Sequence, residues 1–316
     1  MVVKTAGVPA EVAAAAPEHD DNRRFARHVP VMVAEVLDAL QVRPGGVYLD
    51  GTLGDGGLLE AIRSHSQPGG RVLAVDADPA AVGRARERFA PYQGIVIAHG
   101  NFRDLLEIAE RHGFLAVDGI VLDLGLSTRQ LGSGRGFSFS DDTPLDMRFD
   151  PSQDLTADDV VNRYREDALA KVIHDYAEEP RASSIARAIL RQRPIRTARE
   201  LAQAVADVAG PSHRINPATR VFQAIRIEVN QELASLEQAL PQAIQLLGPG
   251  GRLVVLSYHS LEDAVVKRAI RQAAHSAAAK VAVVGPKLRR PSPEEVRSNP
   301  RSRSARLRAA ERIAGR

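Results

Sequence analysis

Asp50-Gly51-Thr52-Leu53-Gly54-Asp55-Gly56-Gly57 stands directly after the β-rich run Val47-Tyr48-Leu49 and just before the helical spacing of Leu58, Leu59 and Ile62. Glycines at a strand-to-helix turn allow a tight backbone path and let a ligand approach without a Cβ in the way. Nineteen residues past Gly57 comes Asp76, the end of a second run from Arg71. A carboxylate there can accept hydrogen bonds from both hydroxyls of a ribose, so the two features together predict a nucleoside-containing cofactor across the carboxyl ends of the strands. Gly54, Gly56 and Gly57 do not follow the dinucleotide spacing G-x-G-x-x-G. Asp50, heading the loop, suits a cofactor with a cationic amino-acid end rather than a pyrophosphate, and S-adenosylmethionine fits that description.

Outward from the loop, the runs Gly94 to His99 and Gly119 to Asp123 alternate with helical stretches such as Ala80 to Phe89. Strands alternating with helices predict an α/β, Rossmann-like fold: a parallel sheet built from right-handed crossovers. A fifth run, Arg252 to Ser257, arrives only after more than a hundred residues. The interval is helical in pattern over Ala168 to Tyr176, Ser183 to Leu190, Ala198 to Val208, and a long stretch from Pro217 to Leu247 that leads into the fifth strand. The expected division is a disordered leader over 1–22, a discontinuous sheet domain over 23–134 and 216–316, and an inserted helical subdomain over 135–215.

Composition narrows the chemistry. The net charge of +3 over 316 residues is too small to indicate a nucleic-acid partner by itself. From Gly285 to Arg316, however, ten Lys or Arg face three acidic residues, an excess of seven that leaves the remaining chain at minus four. Pro286 to Arg308 therefore reads as a mobile basic arm, with a closing strand over Asn299 to Arg308 as the alternative. The absence of cysteine excludes disulfides, thiolate metal sites and thiol nucleophiles. No metal site is expected. Met1 to Asp21 lacks the apolar centre of a signal peptide, and no apolar run approaches the ~18 residues that cross a bilayer, which predicts a cytoplasmic protein without a membrane partner.

Further candidates lie at the strand ends. Phe102 is placed either to face an adenine ring or to pack in the core, and Asp123 either to meet reacting groups or to cap a turn. His259 reads as a proton acceptor or as a structural histidine.

These motifs resemble those of the bacterial ribosomal RNA small subunit methyltransferase H family. The resemblance runs from about His28 to Arg312 through His28-Val29-Pro30-Val31, the loop Asp50 to Gly57, Asp123 to Gln130, Arg135 to Phe139, Pro144 to Arg148, Asn216 to Arg226, Ser257 to Asp263, and Asn299 to Ser304. It implies a class I S-adenosylmethionine methyltransferase sheet with an inserted helical subdomain, acting on N4 of a cytosine in 16S rRNA of the small ribosomal subunit. Carried over by position, it implies cofactor contacts at Gly56, Gly57, position 58, Asp76, Phe102, Asp123 and Gln130, beside the loop's Gly54. Leu58 stands where the family usually has histidine, so only a backbone contact is expected there. Thr128 replaces the usual serine, and Tyr258 the usual phenylalanine.

Methyl transfer from a sulfonium is an in-line displacement, so placing the acceptor carries most of the catalysis. Without cysteine, a covalent route to a pyrimidine carbon is disfavoured and an amine or hydroxyl acceptor is preferred. Asp123 is the candidate to accept an N–H bond from a cytosine amino group, with His259 as a second candidate proton acceptor. Aromatic residues are scarce, so phosphate contacts should dominate RNA binding. Arg135, Arg148, Arg220 and Arg226 in the motifs, and Arg301, Arg303 and Arg306 in the tail, are the candidates; any one of them alone reads better as a solvated charge, and the cluster carries the expectation. Other readings are a methyltransferase of DNA or protein, or a non-catalytic RNA-binding ribosome-assembly factor.

Overall fold

The computed structural model describes residues 30–140, 142–209, 217–275 and 281–313. Seven strands form one sheet: β1 Val47–Asp50, β2 Arg71–Asp76, β3 Ile95–His99, β4 Val117–Asp123, β5 Leu247–Ser257, β6 Val281–Val283 and β7 Arg306–Arg312. The helices are α1 Val33–Leu40, α2 Gly57–Ser66, α3 Pro79–Phe89, α4 Leu105–Arg111, α5 Thr128–Leu131, α6 Ala157–Arg163, α7 Glu166–Ala177, α8 Ala182–Gln192, α9 Ala198–Ala209, α10 Pro217–Asn230, α11 Glu232–Leu246, α12 Ser260–Ala274 and α13 Pro293–Ser298. The leader 1–22, with His28 and Val29, lies outside the described residues.

The strand order is β3-β2-β1-β4-β5-β7-β6. β1 to β5 run parallel, and β7 runs antiparallel to both β5 and β6. This is the expected α/β, Rossmann-like sheet. Val72, Leu73, Ala74 and Val75 of β2 are all fully buried, as an apolar strand covered on both faces must be. Their side chains alternate between two layers. Val72 and Ala74 pack with α1, α2 and α3. Leu73 and Val75 pack with α4, α11 and α12. No helix among the described residues is long and apolar enough to cross a membrane.

A third apolar cluster joins α6, α7, α8, α9 and α10, so the insertion owns a core separate from the sheet. It extends further along the chain than the expected limit at 215. Val221, Phe222, Ile225 and Val229 of α10 pack into the insertion, whereas Leu236, Leu240 and Ala243 of α11 pack on the sheet. The expected continuous run from Pro217 to Leu247 breaks at Gln231, which adopts a left-handed conformation with φ 50° and ψ 41°. No glycine or proline marks that break, so the amphipathic pattern reads straight through it.

The basic tail also differs from the expected mobile arm. Its last part is β7, with Leu307, Ala309 and Ala310 buried between β5 and β6. Arg308 donates to both carboxylate oxygens of Asp263 on α12, at 2.6 and 2.9 Å. Arg289 donates to Asp38 Oδ2 at 2.6 Å. Arginines interleaved with short apolar residues hid the strand's alternation.

Candidate active site

Strand order reverses between β1 and β4, and in an open α/β sheet that reversal opens a crevice at the carboxyl ends of the strands. The loop after β1 lies there. Gly51 N–H donates to Val121 O of β4 and Leu53 N–H to Val75 O of β2, each at 2.9 Å, so both neighbouring strands hold the loop. Gly54 has φ +52°, and a Cβ on it would meet only ordinary contacts. At Gly57 a Cβ would lie 2.2 Å from Pro30 Cγ, so that glycine is required by packing against the chain itself. Leu58, just beyond, is 5% exposed in the layer of α1 to α3, and its side chain serves the core.

Three strand-end acids converge on the crevice. Asp76 Oδ2 accepts from Gly54 N–H at 2.7 Å and Oδ1 from Asp78 N–H at 2.8 Å, so it shapes the loop as well as facing the crevice. Asp50 Oδ1 accepts from Thr52 N–H at 3.1 Å, while its buried Oδ2 has no hydrogen-bond partner. Burial pushes Asp50 up to about 7, helped by the charges of Asp123 and Asp76. Burial likewise pushes Asp76 up to about 6, against the two backbone N–H donors. Three acids that resist ionising together, one with an orphaned oxygen, form a site short of positive charge. The residues present therefore fit a ligand with a cationic end. One residue beyond Asp76, a cavity of about 150 Å³ is lined by Ala77, Asn101 and Arg103 on the sheet side and by Phe149, Asp150 and Asn230 on the insertion side. Phe102, between two of these lining residues, is partly buried against the α4 and α11 layer.

Asp123 ends β4. Its backbone N–H donates to Thr52 Oγ1 at 2.6 Å, tying β4 to the glycine loop. Its Oδ1 accepts from the Tyr258 hydroxyl at 2.8 Å. Burial raises its carboxyl to about 7 even though the tyrosine bond opposes the shift. The sequence pointed to Asp123, but marked Tyr258 only by its place after the fifth strand and by its replacing the usual phenylalanine. Gln130 lies in α5, where it forms a capping box with Ser127. Its Oε1 accepts from Ser127 N–H at 2.9 Å.

His259 takes the structural course. It is the N-cap of α12, accepts from Glu262 N–H through Nδ1, and sets Nε2 3.0 Å from Glu262 Oε1. Nδ1 is thus spent on an amide of its own helix, while buried Nε2 stands beside Glu262 without a hydrogen-bond partner.

The motif arginines are engaged within the protein. Arg135 pairs with buried Asp78 at 2.6 Å and donates to the carbonyls of Arg148 and Phe149. Arg148 grips both oxygens of Asp146. Arg220 pairs with Glu179 at 2.9 Å, and Arg226 binds both oxygens of Glu232 on α11. In the tail, Arg306 stands 3.8 Å from Asp263. Arg301 donates to Thr128 Oγ1, and Arg303 is exposed. Arg129, absent from the sequence-derived candidates, is exposed beside that contact and lies 3.3 Å from Asp55. The acids that hold Arg135 and Arg220 are distant in the chain, so the sequence does not show that these two are paired.

Comparison with known proteins adds identity to this geometry. The model of the MraW methylase family matches residues 25–313. The chain is 52% identical over 306 residues to the ribosomal RNA small subunit methyltransferase H of Thermomicrobium roseum, covering 91% of this chain and 94% of that protein. It is 47% identical over 302 residues to the protein of the same name from Dehalococcoides mccartyi, covering 90% and 86%. Similarity on this scale takes in the insertion and the closing strand as well as the cofactor loop, and the chain belongs to the MraW methylase family.

Proposed function

We propose that this chain transfers a methyl group from S-adenosylmethionine to the N4 amino group of a cytosine in 16S rRNA of the small ribosomal subunit. The observation that carries the reading is the convergence of Asp50, Asp76 and Asp123 at the switch point, with Asp50 Oδ2 left without a partner. S-adenosylmethionine, when bound, supplies an electrophilic methyl group and brings positive charge to these acids. Asp76 would accept from the ribose hydroxyls, and the cavity beside Ala77, with Phe102 at its edge, would take the adenine. Gly54, Gly56, Gly57 and the backbone at Leu58 would line the amino-acid end, and Gln130 would close it.

A cytosine amino group is a poor nucleophile because its lone pair is delocalised into the ring. Asp123, accepting one of its N–H bonds, localises that pair and stabilises the positive charge that develops on nitrogen. As the nitrogen took up the methyl group it would have to lose one proton, and the Asp123 carboxylate would accept it. His259 keeps its capping role. The target base must be unstacked to reach this crevice.

Arg129, Arg301 and Arg303 are our candidates for phosphate contacts. All three are exposed, Arg129 while also paired with Asp55, whereas Arg135, Arg148, Arg220, Arg226 and Arg306 are less exposed and engaged with acids of the fold. The names of the relatives favour rRNA over DNA, protein or a non-catalytic role. An rRNA substrate would put the work in the cytoplasm. The test offers tritium-labelled S-adenosylmethionine to small subunits, to DNA and to bulk protein. Label confined to small-subunit rRNA is expected; label in DNA or protein, or none at all, overturns the assignment.

A further inference from the structure

We infer that the Tyr258 hydroxyl positions Asp123 for methyl transfer, holding Oδ1 so that Oδ2 is the oxygen presented to the incoming amino group. The inference rests on the role given to Asp123 under the proposed function. Tyr258 immediately follows β5, the strand paired with β4, and its hydroxyl reaches across to Asp123 Oδ1 at 2.8 Å. Its own N–H donates to Glu262 Oε2 at 2.8 Å, so the residue is anchored through its main chain. A Cβ placed on Gly125, which follows the end of β4 with φ +104°, would stand 3.4 Å from the Tyr258 ring. The ring thus packs on the turn that carries the chain away from Asp123.

Two jobs are separable in this side chain. The ring packs, and a phenylalanine would do that equally well. The hydroxyl adds a donor that phenylalanine lacks, and the resemblance described above has phenylalanine at this position. Burial, and next the charge of Asp123, push the phenol far above its ordinary range, so it stays protonated and donates at every working pH. A donor to the ionised carboxylate favours the charged form that must accept the amino N–H.

The charged and titratable neighbours are few. Asp123 is faced by Glu262 of α12 and lies near Asp50 of β1. Tyr258 is faced by Asp123, Glu262 and Glu295 of α13. Glu262 is paired with His259 and feels Arg226 of α10. Among these, Tyr258 alone donates a side-chain hydrogen bond to Asp123.

The test compares wild type, Tyr258→Phe and Asp123→Asn in methyl transfer from labelled S-adenosylmethionine to small subunits, as kcat against pH. Removing the donor should move the acid limb of Tyr258→Phe upward by about one pH unit, a roughly tenfold loss below the limb that closes as pH rises. KM for the cofactor and the melting temperature should stay near wild type, because the ring and the loop are intact. Asp123→Asn should be inactive. If Asp123→Asn is inactive but the Tyr258→Phe profile coincides with wild type, the positioning role is overturned and the role of Asp123 survives. If Asp123→Asn is fully active, the role of Asp123 itself falls, and the inference falls with it.

Discussion

Asp76 holds the glycine loop and, in the proposed function, also the ligand. Its two oxygens hold the amides of Gly54 and Asp78, so Asp76→Ala removes a cofactor acceptor and leaves two backbone donors to find water. We expect calorimetric cofactor affinity to fall by ~1.5 to 3 kcal/mol, with a lower melting temperature as well. Unchanged affinity would remove Asp76 from the site. The raised acids predict a pH dependence whose sign is fixed. Asp50, Asp76 and Asp123 are raised to about 7, 6 and 7, so below those values a cationic ligand must displace protons to find its countercharge. Cofactor affinity should therefore climb from about pH 6 to about pH 8, with protons released on binding. The same shifts make the folded chain hold protons that the unfolded chain has lost. The protein without cofactor should accordingly lose stability as pH rises from about 4 through 7, and saturating cofactor should remove that loss. A flat affinity profile in calorimetry would contradict the shared-charge site. At this scale the acids were legible because a strand end fixes where a carboxylate points, whereas Tyr258 was not, because its partner lies 135 residues away.

The elements divide in the same way. Strands β1 to β4 and helices α7 to α9 were legible because their apolar runs are continuous or carry a 3.6 period, and each is covered by its neighbours. The break at Gln231 and strand β7 were not legible, since long-range packing decides both. A left-handed glutamine holds only because α10 and α11 are pinned to different cores, and an arginine-rich strand holds only because acids await it. Asp263 is the clearest such acid. Both it and Arg308 are about 85% covered, and two hydrogen bonds join them. Arg308→Ala should leave that carboxylate without its donors and destabilise the protein by ~1 to 3 kcal/mol, measured by denaturant unfolding, without altering the salt dependence of RNA binding. A variant as stable as wild type would mean that β7 adds nothing to the sheet.

Across the whole molecule, the sheet supplies the cofactor crevice, and the insertion supplies the far wall of the adjoining cavity through Phe149, Asp150 and Asn230. Asn230 Nδ2 donates to Met147 O at 2.8 Å and its Oδ1 accepts from Phe149 N–H at 2.7 Å, so the wall is fixed from the last residue of α10. The sequence pointed to an insertion in the sheet domain, but only the folded chain could show that Arg135 and Arg226 tie the insertion core to the sheet layers. On the function proposed here, RNA docking would fall to the exposed Arg129, Arg301 and Arg303. Replacing Arg301 and Arg303 together by Ala should leave cofactor affinity and stability unchanged while flattening the salt dependence of RNA binding, by a log-log slope of ~0.7 for each phosphate no longer neutralised. An unaltered slope would move the docking surface elsewhere. The most direct test of the central claim is the chemical identity of the product. Small subunits methylated with tritium-labelled S-adenosylmethionine are digested to nucleosides and separated by chromatography. The predicted result is label migrating with N4-methylcytidine, and absent with Asp123→Asn; label in 5-methylcytidine, or in ribosomal protein, would contradict it.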